Sequence, residues 1–373
     1  MLAQGANAAV LPEERIDALY HSYEGGGVEV KGPSILIRKG ITNNTSAFYN
    51  FYIDNITSAS IDVEIGGSQY IEERTEESFG IDYLHGKTTM SLSLTNSSEN
   101  DYEADTVSFS ISQDFFGDLS NITMGYSSGS DVVGKRDDVD QSDVDRQSYR
   151  VSFSQILSTN ATVALAWETI TDEASTLNNS GVTLNNPYRS YSFGSVGGVR
   201  TFAPEIYPNT RTSNALAIRG NYFLPFRAAI HAEYRWFQDS WGVRGDTYGL
   251  SYVHPVGDWT FDFRYRLYDQ TKADFYNDMF DFANQFNYMA RDKELSTFSS
   301  TSVGFSASYE FAKNGWGIID KGSLNFSWDH LTIDYADYRD ARDSVLNGNS
   351  AAGEEPLYTL EADVIQAFIS IWY

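Results

Sequence analysis

Residues 259–268 read WTFDFRYRLY, and the strict alternation of this stretch limits the possible folds more than any other feature. Trp259, Phe261, Phe263, Tyr265 and Leu267 share one face of an extended chain. Thr260, Asp262, Arg264, Arg266 and Tyr268 share the other. Period two predicts a β-strand with one apolar and one charged face. The same pattern recurs at 149–157, 216–224 and 303–311. No amphipathic helix is convincing, and only a short turn near Glu13–Leu19 is a helical candidate.

The connectors come in two alternating kinds. Short ones are His85–Thr88, Phe116–Leu119, Ser158–Asn160, Leu224–Arg227 and Val256–Trp259, with Lys313–Gly322 slightly longer. Long polar ones are 66–75, 97–103, 128–146, 173–210, 271–296 and 337–356, and only 239–243 is brief. Short turns at one end of the strands and long loops at the other are the arrangement of a bacterial outer-membrane barrel.

A soluble β-sandwich also alternates, so composition is needed to separate the two. The apolar face draws on 25 Tyr, 23 Phe and 7 Trp, as expected of a lipid-facing coat with aromatic girdles. The opposite face is Ser, Thr, Gly and Asn with mixed charges, which suits a wet lumen. The chain ends on a strand, 363–373, in which Ile365, Ala367, Ile369, Ile371 and Tyr373 share a face. This resembles the signal read by the outer-membrane insertion machinery. A mean hydropathy of −0.37 and the lack of any apolar run of about 20 residues exclude membrane helices, but neither excludes a barrel.

The net charge of −25 argues against nucleic-acid binding, which needs a basic face. The absence of cysteine excludes disulfides, thiolate metal sites and thiol catalysis. Met1 to Val10 lacks the basic and apolar regions of a signal peptide, so an outer-membrane location expects the mature form with the signal removed.

The predicted fold is therefore all-β: a transmembrane antiparallel β-barrel with short periplasmic turns and long extracellular loops. Counted backward from Tyr373, the strands are 357–373, 323–336, 297–312, 258–270, 243–255, 227–238, 212–223, 161–172, 147–157, 119–127, 104–115, 88–96, 76–85 and 45–65. That is fourteen, with sixteen as the alternative. Residues 45–373 would form the barrel. Residues 1–44 would be a periplasmic or lumen-plug segment, because a lone strand at 28–39 would make the count odd.

Several stretches carry a family resemblance: 17–39 (DALYHSYEGGGVEVKGPSILIRK), 58–63, 72–74, 81–90 (IDYLHGKTTM), 101–104 and 114–118. It continues at 185–190 (NNPYRS), 205–214 (EIYPNTRTSN), 231–236, 291–298 (RDKELSTF), 354–358 and 363–373. They resemble an uncharacterised family of Gram-negative outer-membrane proteins, a β-barrel domain of unknown function. The resemblance implies a barrel and a location, with no catalytic residues to transfer. It also implies neighbours in the envelope, a small lipoprotein and redox components, as possible partners.

The candidate site residues follow from the alternation. Arg150, Arg219, His231, Glu233, Arg235, Asp262, Arg264 and Arg266 fall on the polar face. Facing lipid, an Arg at mid-membrane costs about 2–4 kcal/mol, so these residues are expected to line the lumen. There they can pair across the ladder or orient passing ions. In the long loop 173–210, Tyr188, Arg189, Tyr207 and Arg211 flank turn-forming Asn-Pro and Pro-Asn pairs and are expected to form an ordered constriction at the mouth. Asp137, Asp138, Asp140, Asp143 and Asp145 form a weak calcium-type metal candidate whose spacing is not that of an EF-hand. No other cofactor is expected.

Catalysis finds little support. Asp329 and His330 are consecutive on a strand and point to opposite faces. Only His231 combines an inward position with nearby acids, and no serine sits in a nucleophile-elbow context. The function expected is a pore or transporter with a charged, partly filled lumen, not an enzyme. The alternative is a plugged scaffold that docks a small lipoprotein or redox partner. Outer-membrane lipid, lipopolysaccharide and the insertion machinery are the other expected partners.

Overall fold

The computed structural model describes residues 10–66, 70–134, 141–176, 184 and 188–373. Its main body is one closed antiparallel barrel of sixteen strands. The wall runs through β1 (Arg15–Gly25), β2 (Val28–Thr42), β3 (Thr45–Ser58), β4 (Tyr70–His85), β5 (Thr88–Ser98), β6 (Tyr102–Phe115), β7 (Ser120–Gly134), β8 (Gln141–Ser158) and β9 (Ala161–Thr176). Two strands outside the wall follow, β10 (Ser190–Val196) and β11 (Val199–Pro204). The wall resumes with β12 (Thr210–Phe223), β13 (Ala229–Asp239), β14 (Arg244–Val256), β15 (Trp259–Gln270), β16 (Phe298–Phe311), β17 (Lys321–Arg339) and β18 (Leu357–Trp372). Closure comes from β1 pairing with β18 from Arg15↔Trp372 to Gly25↔Ala362. Every wall strand then has two neighbours and no edge is left open.

This corrects the count of fourteen to the alternative of sixteen. It also corrects the assignment of 1–44 to a plug or periplasmic segment, since residues 15–42 are wall. The first hairpin was hard to read because it breaks the loop rule. Its loop-side turn is only Gly26–Gly27, both at positive φ, a two-residue turn matched to strand twist. Gly32 and Pro33 further obscured β2. They fall in a gap of the β2–β3 ladder between Lys31↔Asn55 and Ser34↔Tyr52, where a residue without an N–H is tolerated.

Two other expectations shift. The stretch 128–146 is mostly wall, since β7 runs to Gly134 and β8 starts at Gln141. The long strand 45–65 stops at Ser58, and α1 (Ile61–Gly66) follows. The short connectors named from the sequence lie at one rim, with the strand ends Arg15 and Trp372. The long ones lie at the other, which also carries the brief Gly26–Gly27 and 240–243 turns.

The outer face is apolar where a bilayer would sit. Tyr20, Ile35, Phe79, Leu92, Phe109, Met124, Val151, Trp167, Ile218, Tyr248, Phe263 and Phe326 are all exposed. In water such a belt would be untenable; in lipid it is the interface. The best-buried apolar core is at the loop rim, where the ends of β17 and β18 meet the long loops. There Ile61, Tyr207, Trp241, Val243, Tyr276, Leu295, Tyr335, Tyr338, Tyr358 and Leu360 pack together. Tyr23, Phe237, Phe298, Leu331 and Ile333, all on the lumen face of wall strands, pack against them. The long loops therefore fold inward over the mouth as a cap. Part of the aromatic load expected to coat the barrel is spent inside it.

Candidate functional site

The cap is assembled from three loops. The β9–β12 loop contributes the β10–β11 hairpin, whose turn Gly197–Gly198 lies at positive φ. The β15–β16 loop meets it through main-chain bonds between Ser192 and Phe280 and between Ile206 and Met289. The β17–β18 loop carries α2 (Arg342–Val345), and Arg342 reaches Glu64 of α1 at 2.9 Å.

A buried ion network ties the three together. Arg200 on β11 has a fully buried side chain. Its Nε and Nη2 donate to the two Glu355 carboxylate oxygens at 2.6 Å each. Nη2 also donates to Asp278 Oδ2 at 2.6 Å and Nη1 to the Asp278 carbonyl at 2.7 Å. A planar guanidinium forked onto a carboxylate gives direction as well as charge. Burial disfavours the charged form of Glu355, but the Arg200 fork and the Ser344 hydroxyl outweigh it and hold the carboxyl down at about 2. Arg291 adds a bond to Asp278 at 3.3 Å and lies over the Tyr338 ring at 4.3 Å.

Glu205 is in the opposite condition. It accepts from the Arg291 N–H at 2.6 Å and from the Tyr207 hydroxyl at 2.8 Å. Burial, and then the nearby Asp292 carboxylate, push its carboxyl up to about 7. Arg189, bonded to Asp292 at 2.9 Å, only partly offsets this.

The four residues expected at a constriction fall in or beside this cap. Tyr207 is buried against Trp241 and Phe275 at ring separations of 5.4 Å. Arg211 bonds Asp239 at 2.7 Å and lies over the Trp241 ring at 4.5 Å. Arg189 holds Asp292, and Tyr188 is exposed. Asn185, Asn186 and Pro187 lie outside the described residues.

Below the cap, all eight lumen candidates sit on the inward face of their strands. Arg150 pairs with Glu168 directly across the β8–β9 ladder, and Arg219 with Glu233 across β12–β13. Arg264 bonds Asp262 at 3.0 Å and Asp329 at 2.9 Å. Gly304, opposite Arg264 in the ladder, leaves the space this fork fills; a Cβ there would lie 2.0 Å from Asp329 Oδ1. His231 contacts Asn221 at 2.5 Å. Arg235 and Arg266 lie over the Phe237 and Tyr268 rings, at 5.5 and 5.8 Å.

The sequence reading missed a second set on the strands it had set aside. Asp17 bonds Arg15 at 2.9 Å, and Arg38 pairs with Asp82. His21 Nε2 lies 2.6 Å from Asp54, both buried in the wall, and its ring stacks on Tyr52 at 4.7 Å. Arg74 completes this cluster, 2.7 Å from Asp54. The alternation of Asp17, Leu19 and His21 against Ile16, Ala18 and Tyr20 was the signal available for β1. Near the turn rim the lumen opens into a cavity of about 670 Å³, lined among others by Arg15, Asp17, Glu310, Lys313, Lys321 and Trp372. The β5–β8 wall is lined instead by small groups such as Ser91, Ser93, Ser110, Gly125 and Ser127.

Most of the calcium candidate falls beyond the residues that the structure describes. Asp137, Asp138 and Asp140 lie outside the described residues. Asp143 and Asp145 are on β8 in register with Val132 and Ser130, on the outer face with Tyr149 and Val151 rather than in a loop. A different carboxylate group, Glu72, Glu99 and Asp101, brings ligand atoms within 4.8 Å of one another. The Asn100 N–H bonds Glu72 at 3.1 Å, and Arg74 lies 3.9 Å from Glu99.

Comparison with solved structures finds outer-membrane barrels. A bacterial polysaccharide outer membrane secretin is 8% identical, with a TM-score of 0.51 and coverage of 97% of this chain and 99% of that one. The outer membrane protein opdK from Pseudomonas aeruginosa is 8% identical at a TM-score of 0.43, covering 96% and 100%. No curated protein matches the chain. The likeness to the secretin is one of fold alone, and it agrees with the closed wall and apolar belt described above. A family model, described as a protein of unknown function (DUF3570), matches residues 65–319, and the chain belongs to that family.

Proposed function

We propose that the protein is a conduit of the bacterial outer membrane: a barrel that passes small polar solutes through a charged lumen, covered at its loop rim by an ordered cap. The observation that carries this reading is the lumen below the cap. Most of its arginines are paired with carboxylates along the wall, its β5–β8 side is lined by small hydroxyl side chains, and it opens into a wide cavity at the turn rim. Paired charges on a wall orient polar solutes without holding any one of them. The loop rim would face outward and the turn rim the periplasm. Outward Ile365, Ala367, Ile369, Ile371 and Tyr373 on and beside β18 would engage lipid and, during assembly, the insertion machinery. The reading assigns no bond-breaking chemistry to the lumen.

Planar-bilayer recording on the folded protein tests this. Discrete conductance steps are expected, and their size should rise when the β10–β11 hairpin is excised. A bilayer that stays sealed at high protein load, with and without the hairpin, would refute the conduit.

The scaffold reading loses its first motive, because residues 15–42 build the wall instead of filling the lumen. Its remaining support is the turn-rim cavity, where Lys313, Lys321 and Trp372 present a mixed charged and aromatic lining. Co-purification from native membranes that returns only the barrel would dismiss a docked lipoprotein or redox protein.

A further inference from the structure

Arg235 and Arg266 differ from the other lumen-facing arginines below the cap. Arg15, Arg38, Arg74, Arg150, Arg219 and Arg264 each bond a carboxylate, as do Arg146, with Asp172 at 2.7 Å, and Arg211, with Asp239. Among the described residues, Arg235 and Arg266 bond none. In a chain of net charge −25, acids are abundant, so two neighbouring guanidiniums left without one are a departure that calls for a physical reason.

The register brings them to one place. Arg235 on β13 is opposite Thr247 on β14, which is opposite Tyr268 on β15. One step toward the turn rim, Glu233, Gly249 and Arg266 form the next row. The two arginines thus flank β14 diagonally, about 12 Å apart at the backbone, within reach of a common ligand for side chains of this length. Between them Gly249 offers no side chain, and a Cβ there would meet only Glu233 at 3.6 Å. Thr247 is 2% exposed, and its buried hydroxyl has no partner among the described residues. A buried hydroxyl without a partner costs about 1–3 kcal/mol, and a ligand oxygen would remove that cost. Arg266 is open to the lumen, while the apolar floor of the cap begins just above, at Phe237 and Phe298. Water is therefore thinned on one side of the pair, which strengthens charge-assisted bonds there.

We propose that Arg235 and Arg266, with the Thr247 hydroxyl between them, form a binding site for small oxyanions, carboxylate or phosphate, in the lumen beneath the cap. Two planar donor forks and one hydroxyl suit an anion with several acceptor oxygens. The inference rests on the conduit reading in that it names the solute class such a passage would favour.

Titration calorimetry on the detergent-folded full chain, with succinate and with inorganic phosphate in separate arms, tests the site without requiring conduction. At least one anion should bind. Succinate alone would assign the site to carboxylates, phosphate alone to phosphates, and both to oxyanions at large. Arg235→Gln with Arg266→Gln should weaken binding about tenfold or more, since each lost charged hydrogen bond is worth about 1.5–3 kcal/mol. Lys87→Gln with Arg244→Gln, the same change in net charge at a turn and on the outer face, should leave it unchanged. Should the double variant fail to fold, Arg266→Lys keeps the charge, loses the fork and should still weaken binding severalfold. No binding by the native chain, or equal binding by a folded arginine variant, overturns the site. Conductance without anion binding removes the site and leaves the conduit; arginine-dependent binding with a sealed bilayer does the reverse.

Discussion

Arg200→Met should detach the cap and leave the barrel standing. The arginine side chain is fully buried and makes two bonds to Glu355 and two to Asp278. Met has similar bulk, so the change removes charge and hydrogen bonds with little loss of volume. It strands a Glu355 that is itself fully buried. Removing one partner of a buried ion pair costs about 3–5 kcal/mol. The Glu355 carboxyl gives an independent figure. Its fall from 4.5 to about 2 corresponds to about 3 kcal/mol at about 1.4 kcal/mol per pH unit. Together the two routes raise the open population of the cap roughly 10²–10⁴-fold.

Hydrogen exchange on the folded protein in detergent reads this directly. Peptides covering 198–207, 273–295 and 340–356 should exchange faster by that factor. Peptides from β5 to β8, whose ladder bonds do not involve the cap, should not change. Unchanged exchange in the cap would show that the network does not hold it. Equal acceleration in cap and wall would show that cap and barrel unfold as one unit; either result refutes the reasoning.

Three further outcomes follow from the same structure. Glu205 is raised in the folded cap from 4.5 to about 7, so folding favours its protonated form; the cap should lose about 3 kcal/mol as pH rises from about 4.5 through 7, and Glu205→Gln should flatten the rise in cap exchange between pH 5 and pH 8. Glu355 works in the other direction: its contribution is present above about 4.5 and is lost as pH falls toward 2, which acid titration of cap exchange in the Glu205→Gln background would isolate. Trp241→Ala removes a ring packed edge-on to Tyr207 and Phe275 and a bond to the Thr210 carbonyl; a cost of about 3–5 kcal/mol should appear as cap exchange and as larger conductance steps, with the heat-shifted gel mobility of the barrel unchanged.

The alternation in segments such as 259–268 was enough to assign strands, the inward placement of Arg219, Glu233, Arg264 and Arg266, and a lipid-facing coat. The reason is local: successive side chains of a strand must point to opposite faces, and lipid accepts only one kind. The same logic was available for β1 and failed there. Its loop-side turn is two glycines instead of a long loop, and β2 carries Gly32–Pro33, so neither strand matched the expected rhythm. The parity of the barrel was then settled by closure, because β1 must find β18.

The cap was beyond local reasoning. Tyr207, Trp241, Tyr276, Tyr338 and Tyr358 carry no period that distinguishes a buried core from a membrane girdle, and Arg200 meets Glu355 across 155 residues of chain. The sequence by itself therefore determined the wall and the sides of its residues, since a strand's two faces are set by its own backbone. Only the tertiary structure decided that the loops close over the mouth, which carboxylate each paired arginine takes, and that Arg235 and Arg266 take none among the described residues. Those outcomes depend on distances between segments far apart in the chain, and no local pattern encodes them.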